Sequence, residues 1–325
     1  MIRLNQLLHF NTIIIQCHDN PDPDTLASGY ALYTYLKLHH KNVRLIYSGP
    51  NQISKPNLKL MIESLRIPIE YATYIDVPDL LVTVDCQYGE GNIYHFPARA
   101  ICMLDHHIPV SEPTPLSDIR PNLTSCSTLI WTLLLESGFN LESHLEVCTA
   151  LYYGLLTDSN SFTEISDDLD TQMQNTIPFD NTLMKQLKYS NLSLIDLVTA
   201  GTALVSYSFN PENKFAIFKS GPCDPNILGF ISDLVIQVDS IHLCIVYYEN
   251  EVSIKYSIRS CSDQILANEF AKYICQEIGS GGGHIDKAGG QINLFIYKKH
   301  FPHLPISNYL TDFTQSYLSQ LRLSK

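Results

Sequence analysis

The chain has 325 residues, 45% of them hydrophobic, which is enough apolar material for two domains with proper cores. Its net charge of −12 argues against long nucleic acid as a partner, because such binding rests largely on Lys and Arg meeting phosphates. No apolar run reaches the length of a membrane span and the opening MIRLNQLLHFNTIII lacks a small-residue cleavage site, so neither a membrane partner nor a secretory leader is expected.

In chain order, NTIIIQC reads as a strand and is followed by a helix over about Thr25 to His40. VRLIY is a second strand, with a helix over Asn57 to Arg66. LLVTVD and AICMLD are apolar throughout rather than alternating, which suits strands buried on both faces of a parallel sheet. The helical stretches SCSTLIWTLLLES and LEVCTALYYGLLT follow. The first half therefore reads as α/β, a doubly wound and mainly parallel sheet. Helical patterning continues over Asp170 to Thr202, and SYSFNPENK reads as a turn-rich boundary. Beyond it lie strand candidates FAIFK, IHLCIVYY and EVSIKYSIR, a helix over Asp263 to Glu277, a glycine cluster, a strand INLFIY and a closing helix after Pro305. The division expected is residues 1–190 as a metal-binding domain, 191–208 as a linker, and 209–325 as a smaller α/β domain across a cleft.

Charge is uneven along this division. Residues 1–204 hold 11 Lys+Arg against 22 Asp+Glu, whereas residues 205–325 hold 10 against 11. The acids also fall at particular places. His18, Asp22 and Asp24 follow the first strand, Asp85 ends LLVTVD, Asp105, His106 and His107 end AICMLD, and Asp158 follows a helix. In open parallel sheets ligands bind beyond the carboxyl ends of the strands. Carboxylates converging there repel one another unless cations lie between them. A mixed Asp/His set without Cys suits Mn²⁺ or Mg²⁺, and five or six ligands exceed what one ion takes from protein. A pair of ions about 3.5–4 Å apart, bridged by one carboxylate, is the usual arrangement for phosphoester hydrolysis. The nine Cys contain no CxxC pair, which argues against structural zinc and disulfides and for a reducing, cytoplasmic location. Cys17 and Cys86 read as packing residues and Lys298-Lys299 as a solvated pair; among 19 Tyr, one or two are candidates for stacking on bases.

HDNPDPDTLAS, VDCQ, LDHH and GLLTDSNSF resemble the four motifs of DHH-family phosphoesterases, in order, with Asp105-His106-His107 as the DHH. SIRS followed by GSGGGHIDKAGG resembles the signature of the DHH-associated C-terminal domain, so the likeness runs from His18 to about Gly290. The resemblance implies that His18 and Asp22 hold one Mn²⁺, that Asp24, His106 and Asp158 hold the other, and that Asp85 bridges them around a nucleophilic water. It places His107 near the leaving group and Asp105 behind the imidazoles. In the second domain it gives Arg259 and His284 to the substrate, with the Gly281, Gly282 and Gly283 amides close by. Departures are ASGY after Leu26, Cys86 after Asp85, and Ser159 after Asp158; none removes a ligand.

That subgroup contains nano-RNases with pAp (3′-phosphoadenosine 5′-phosphate) phosphatase activity and phosphodiesterases of dinucleotides. The expectation is a hydrolase of short RNA oligonucleotides, linear dinucleotides such as pApA, and pAp. A cyclic-dinucleotide phosphodiesterase is the nearest alternative. A pyrophosphatase of the related type-II architecture fits the glycine cluster, read as a loop, less well, and a nucleotide-binding regulator would predict lost ligands. Relatives that are often dimers suggest a homodimer.

Overall fold

Thr12–Cys17 (β1) is an apolar run with both faces buried, and this decides its place at the middle of a sheet. The structure is a computed structural model that describes residues 2–50, 52–89, 91–110 and 114–323. After β1 come Pro23–Leu38 (α1), Asn42–Tyr47 (β2), Pro56–Leu65 (α2), Ile69–Tyr71 (β3), Leu80–Val84 (β4), Ile101–Asp105 (β5) and Asp118–Ile119 (β6). All six strands are parallel, in the order β3-β2-β1-β4-β5-β6. Ile15 lies opposite Leu45 on one side and Val82 on the other. The order reverses at β1, so the chain turns one way to β2 and the other way to β4. A crevice beyond the carboxyl ends of β1 and β4 follows from that reversal.

The remaining helices of this unit are Cys126–Glu136 (α3), Leu145–Asp158 (α4), Asp168–Thr176 (α5) and Asn181–Tyr189 (α6). Ile13, Ile15, Val82 and Val84 share one core with Leu26, Leu32, Leu129 and Leu151 of the helices. Ile14, Ile46 and Leu81 point the other way, where Ala72, Ile75 and Phe96 of the connecting segments cover them. Burying each such aliphatic side chain contributes about 1.5–3 kcal/mol. The strand order is thus the doubly wound one, with the helices concentrated on one face.

The chain divides into two compact units, Met1–Leu192 and Ser193–Lys325. The second unit runs Leu194–Leu204 (α7), Tyr207–Asn210 (β7), Phe215–Lys219 (β8), Pro225–Val235 (α8), Leu243–Glu249 (β9), Ser253–Ser260 (β10), Ala267–Cys275 (α9), Gly279–Gly283 (β11), Lys287–Asn293 (β12), Leu294–His300 (α10) and Ile306–Leu323 (α11). Its sheet has the order β11-β12-β10-β9-β8-β7, antiparallel except for β8 against β9. Ile217, Tyr247 and Tyr256 face a core with Phe270, Ile274 and Tyr309, while α8 packs against β9 and β10.

Several sequence expectations change here. Residues 191–208 hold α7, which packs on α8 and β8, where a linker was expected. YSFN is the edge strand β7 rather than a boundary turn. INLFIY splits, its first residues ending β12 and the rest forming α10, because the Asn293 side chain caps that helix by accepting from Phe295 N (3.0 Å) and Ile296 N (3.1 Å). The helical stretch to Thr202 is three helices, broken by caps at Asp180 and Ser193. The glycine cluster is a strand, not a loop, and α8 was not anticipated.

Candidate metal centre

Asp22 caps α1. Its Oδ1 accepts from Asp24 N (3.0 Å) and Thr25 N (3.1 Å), and Pro23 opens the helix. The cap fixes the second oxygen, Oδ2, at 3.6 Å from His18 Nε2. Asp24, one residue into the helix, reaches the start of α3. Its Oδ2 accepts from Cys126 N (2.7 Å) and its Oδ1 from Ser127 N (2.8 Å), so a carboxylate occupies the positive end of that helix. Gly154 of α4 makes room for it: a Cβ there would overlap Ser127 Oγ and approach Asp24 Oδ1 to 2.9 Å. Ser127, Cys126 and Gly154 were not singled out in the sequence, since they act from about a hundred residues away.

Asp85 directly follows β4 in a left-handed backbone conformation, φ 62°, which Asp adopts more readily than most residues. Its N–H donates to Leu104 O at 2.9 Å, tying it to β5. Oδ2 lies 3.6 Å from His18 Nε2, while Oδ1 lies 3.2 Å from His106 Nε2 and 3.8 Å from His107 Nδ1. Oδ1 is buried and makes no hydrogen bond of acceptable geometry.

His106 Nδ1 is 3.2 Å from the Leu123 carbonyl, which can only accept. That contact assigns the proton to Nδ1 and turns the Nε2 lone pair toward Asp85, Asp158 Oδ2 at 3.2 Å and Asp24 Oδ2 at 4.0 Å. His107 Nδ1 donates to Asp105 Oδ1 at 2.8 Å, and Asp105 Oδ2 accepts from Gln87 Nε2, also at 2.8 Å. Gln87, fully buried, additionally accepts from Val110 N. It is the residue of VDCQ whose role sequence reasoning missed; a buried amide two positions after a candidate ligand was the available signal.

Among the described residues of this unit, three groups bring donor atoms within 4.8 Å of one another: His18/Asp22/Asp85, Asp24/Asp85/His106 and Asp85/Asp105/His107. Asp85 belongs to all three. The neighbouring thiols do not join them. Cys17 donates to Thr25 O and Cys126 to Leu104 O, and burial raises Cys17 to about 12.

Burial, reinforced by Asp85 and Asp158, lifts the Asp24 carboxyl well above its ordinary range. Burial also raises Asp158, to about 7, with His106 opposing and Asp85 and Asp22 adding. Burial alone would lower His18, but the Asp22 and Asp85 carboxylates outweigh it and push it up to about 10. The same contest leaves His107 raised, Asp105 and Asp85 overcoming burial and the neighbouring His106. Protons here do the work that divalent cations do among crowded carboxylates. The donor set of hard oxygens and imidazoles, with Asp85 Oδ1 buried and unmatched, fits such ions.

In the second unit the expected substrate residues lie on β10 and β11. Arg259 forks onto Asp233 of α8 through Nε and Nη2, and Nη1 donates to Ser257 Oγ (3.1 Å) and Ile258 O (3.0 Å). Gly281, Gly282 and Gly283 form most of β11, paired with β12, and the hairpin closes through His284 N to Lys287 O at 2.7 Å. A Cβ at Gly281 would overlap the Tyr256 hydroxyl and lie 2.8 Å from Ala271 O, whereas at Gly282 it would meet nothing within 4 Å.

Residues 12–157 match the model of the DHH family, N-terminal domain. The first unit is a DHH-family domain. The matched span ends one residue before Asp158 and includes none of the second unit. A protein of Methanocaldococcus jannaschii named only as uncharacterized MJ1633 is 23% identical over 292 residues, 88% of this chain and 59% of its own length. The chain therefore spans under two thirds of that curated relative. An exopolyphosphatase-related protein from Bacteroides fragilis has the same fold, with a TM-score of 0.74 at 20% identity over 98% of this chain and 97% of the other. Exonuclease RecJ bound to manganese matches at a TM-score of 0.49 and 16% identity, over 97% of this chain and 92% of that one.

Proposed function

We propose that this DHH protein hydrolyses short nucleotide phosphoesters, namely RNA oligonucleotides of a few residues, linear dinucleotides such as pApA, and pAp, using two Mn²⁺ ions. The observation that carries the reading is Asp85, whose buried Oδ1 lacks a hydrogen-bond partner and whose carboxylate is common to every donor group of the centre. One ion would be held by His18, Asp22 and Asp85, the other by Asp24, Asp85, His106 and Asp158. Such ions supply a water acidic enough to react at neutral pH and neutralise charge on the phosphoryl oxygens.

The chain's own residues do the rest. Leu123 O and the α3 amides hold His106 and Asp24 in place. Asp105, itself fixed by Gln87, accepts from His107 Nδ1 and favours the imidazolium, so His107 Nε2 is suited to deliver a proton to the departing oxygen. Arg259, already aligned by Asp233, and the glycine strand with His284 would contact substrate phosphate. The charge balance of residues 1–204, 11 Lys+Arg against 22 Asp+Glu, supports a small substrate over a long strand.

A substrate panel with purified protein and Mn²⁺ tests the reading: 5′-labelled RNA from dimer to 24-mer, pApA, a cyclic dinucleotide, pAp and pyrophosphate. Rates that peak at two to five nucleotides are expected, with turnover of pAp beside them. Preference for the cyclic dinucleotide, or phosphate release from pyrophosphate alone, would overturn it.

A further inference from the structure

The second unit contains a cavity of about 610 Å³ bounded by β7, β8, β9, α10 and the start of α11. None of Arg259, Gly281–Gly283 or His284 lines it. Sheet order puts β7 and β8 at the opposite edge from β11, and Arg259 bonds α8 on the other face. The cavity uses the face that carries Ile217 and Tyr247.

Of its polar groups Tyr247 is buried, while Lys219 and Lys298 are exposed side chains that line it. Tyr247 is only 2% exposed, yet its hydroxyl makes no hydrogen bond among the described residues. A hydroxyl that opens onto a cavity can both donate to and accept from a ligand placed there. Lys219 lies beside Tyr247 in the β8–β9 register, and Lys298 enters from the last turn of α10. Neither lysine has an ion-pair partner among the described residues. Glu249, two positions along β9 on the same face, lines the cavity too. Burial first and Glu249 second raise Tyr247 to about 12. The opposite wall is aromatic: Tyr297 and Phe301 have ring centroids 5.5 Å apart, and the Tyr297 hydroxyl is taken by Leu304 O at 2.7 Å. α11 begins in the wall at Ile306, and first-turn amides of a helix have no partner within it.

The occupant must bring an anion for two ammonium groups and a helix start, a donor for Glu249, and a flat ring for the aromatic wall. Inorganic phosphate leaves the wall and Glu249 unmatched. A nucleoside supplies the ring and the donor but no anion. We propose that this cavity is a second nucleotide site, taking a nucleoside 5′-monophosphate with its phosphate at Lys219 and Lys298 and its base against Tyr297 and Phe301. The choice of a monophosphate rests on the proposed hydrolysis, whose products are of that class; the site itself does not.

Calorimetric titration of the full-length protein with AMP tests it. A Lys219→Ala/Lys298→Ala variant should bind about tenfold or more weakly, since it loses two charge-assisted contacts. Tyr247→Phe, which removes one oxygen, should weaken binding about two- to tenfold. Asp85→Asn should retain this binding, and the two cavity variants should keep the wild-type melting profile in chelator. AMP affinity unchanged in the cavity variants, or lost in Asp85→Asn alone, overturns the proposal. So does adenosine or inorganic phosphate binding as tightly as AMP. A silent substrate panel beside intact AMP binding would sink the hydrolysis reading and leave this site standing; the reverse result would do the opposite.

Discussion

Asp85 and Arg259 are both held in place by backbone and neighbours, yet the fold treats them in opposite ways. Asp85 is 3% exposed, sits in a left-handed conformation, and lies among three imidazoles and further carboxylates, with one oxygen unmatched. Arg259 has each arm of its guanidinium bonded within the second unit, chiefly to Asp233. A charge balanced inside the fold is stable without a ligand, and so can be held in place before one arrives. An unbalanced buried charge is tolerated only where something else completes it. The two positions therefore separate what the fold needs from what chemistry needs.

The largest expected effect breaks the unbalanced side. Asp85→Asn keeps the shape and removes the shared charge, so turnover with Mn²⁺ should fall about a thousandfold or more. Ion stoichiometry read by calorimetry should fall with it. Stability in chelator should hold or rise, because a like charge is gone. Substantial Mn²⁺-dependent turnover in this variant would remove Asp85 from the bridging role. On the balanced side, Gly281→Ala should cost about 1–3 kcal/mol of stability, because its Cβ would meet Tyr256 and Ala271. Urea denaturation reads this directly, and an unchanged midpoint would show that β11 has room the geometry denies. Arg259→Ala should raise KM about tenfold with kcat nearly unchanged, the pattern of a lost binding contact. A fall in kcat with KM constant would instead place Arg259 in the reaction step.

Much of the first region was legible because its ligands end buried parallel strands, where side chains beyond the last apolar residue must face the crevice. His18, Asp85 and Asp105–His107 are of this kind. What holds them was less legible. The bond from Asp24 to the α3 amides and the space left by Gly154 join segments about a hundred residues apart, and no local pattern announces them. In the second unit, INLFIY looked like a strand because it is apolar, but Phe295 is 80% exposed and Asn293 starts a helix. The missed α8 did carry a signal, Asp224 capping and Pro225 opening the helix. Glycines in β11 suggested a loop, whereas close packing beneath Gly281 explains that residue without one.

Proton linkage sharpens the comparison further. Asp158 at about 7 and Asp24 well above its ordinary value bind protons in the folded chain that the unfolded chain releases near pH 4. His18 at about 10 keeps its proton above the ordinary histidine range. Each group has a raised folded value, so its stabilisation is full below the unfolded pKa and is lost as pH rises through the folded one. In chelator, melting temperature should therefore fall steadily from about pH 5 to pH 9. With saturating Mn²⁺ the same window should flatten or reverse, since ions bind best to deprotonated ligands. Identical profiles with and without Mn²⁺ would mean that these groups do not hold the ion.

The smallest expected effect belongs to Gly282→Ala. A Cβ at this position meets nothing within 4 Å, and Gly282 pairs with Gly289 in the β11–β12 ladder at a φ outside the left-handed region. Stability should thus change by no more than about 0.5 kcal/mol, the range of an unconstrained substitution. Any larger change in KM would have to come from a substrate approaching the backbone where the methyl now stands. A variant with wild-type stability and wild-type KM would leave Gly282 without a substrate contact. The requirement for glycine in β11 would then rest on Gly279, Gly281 and Gly283, where a Cβ would meet the protein's own backbone or the Tyr256 hydroxyl rather than any ligand.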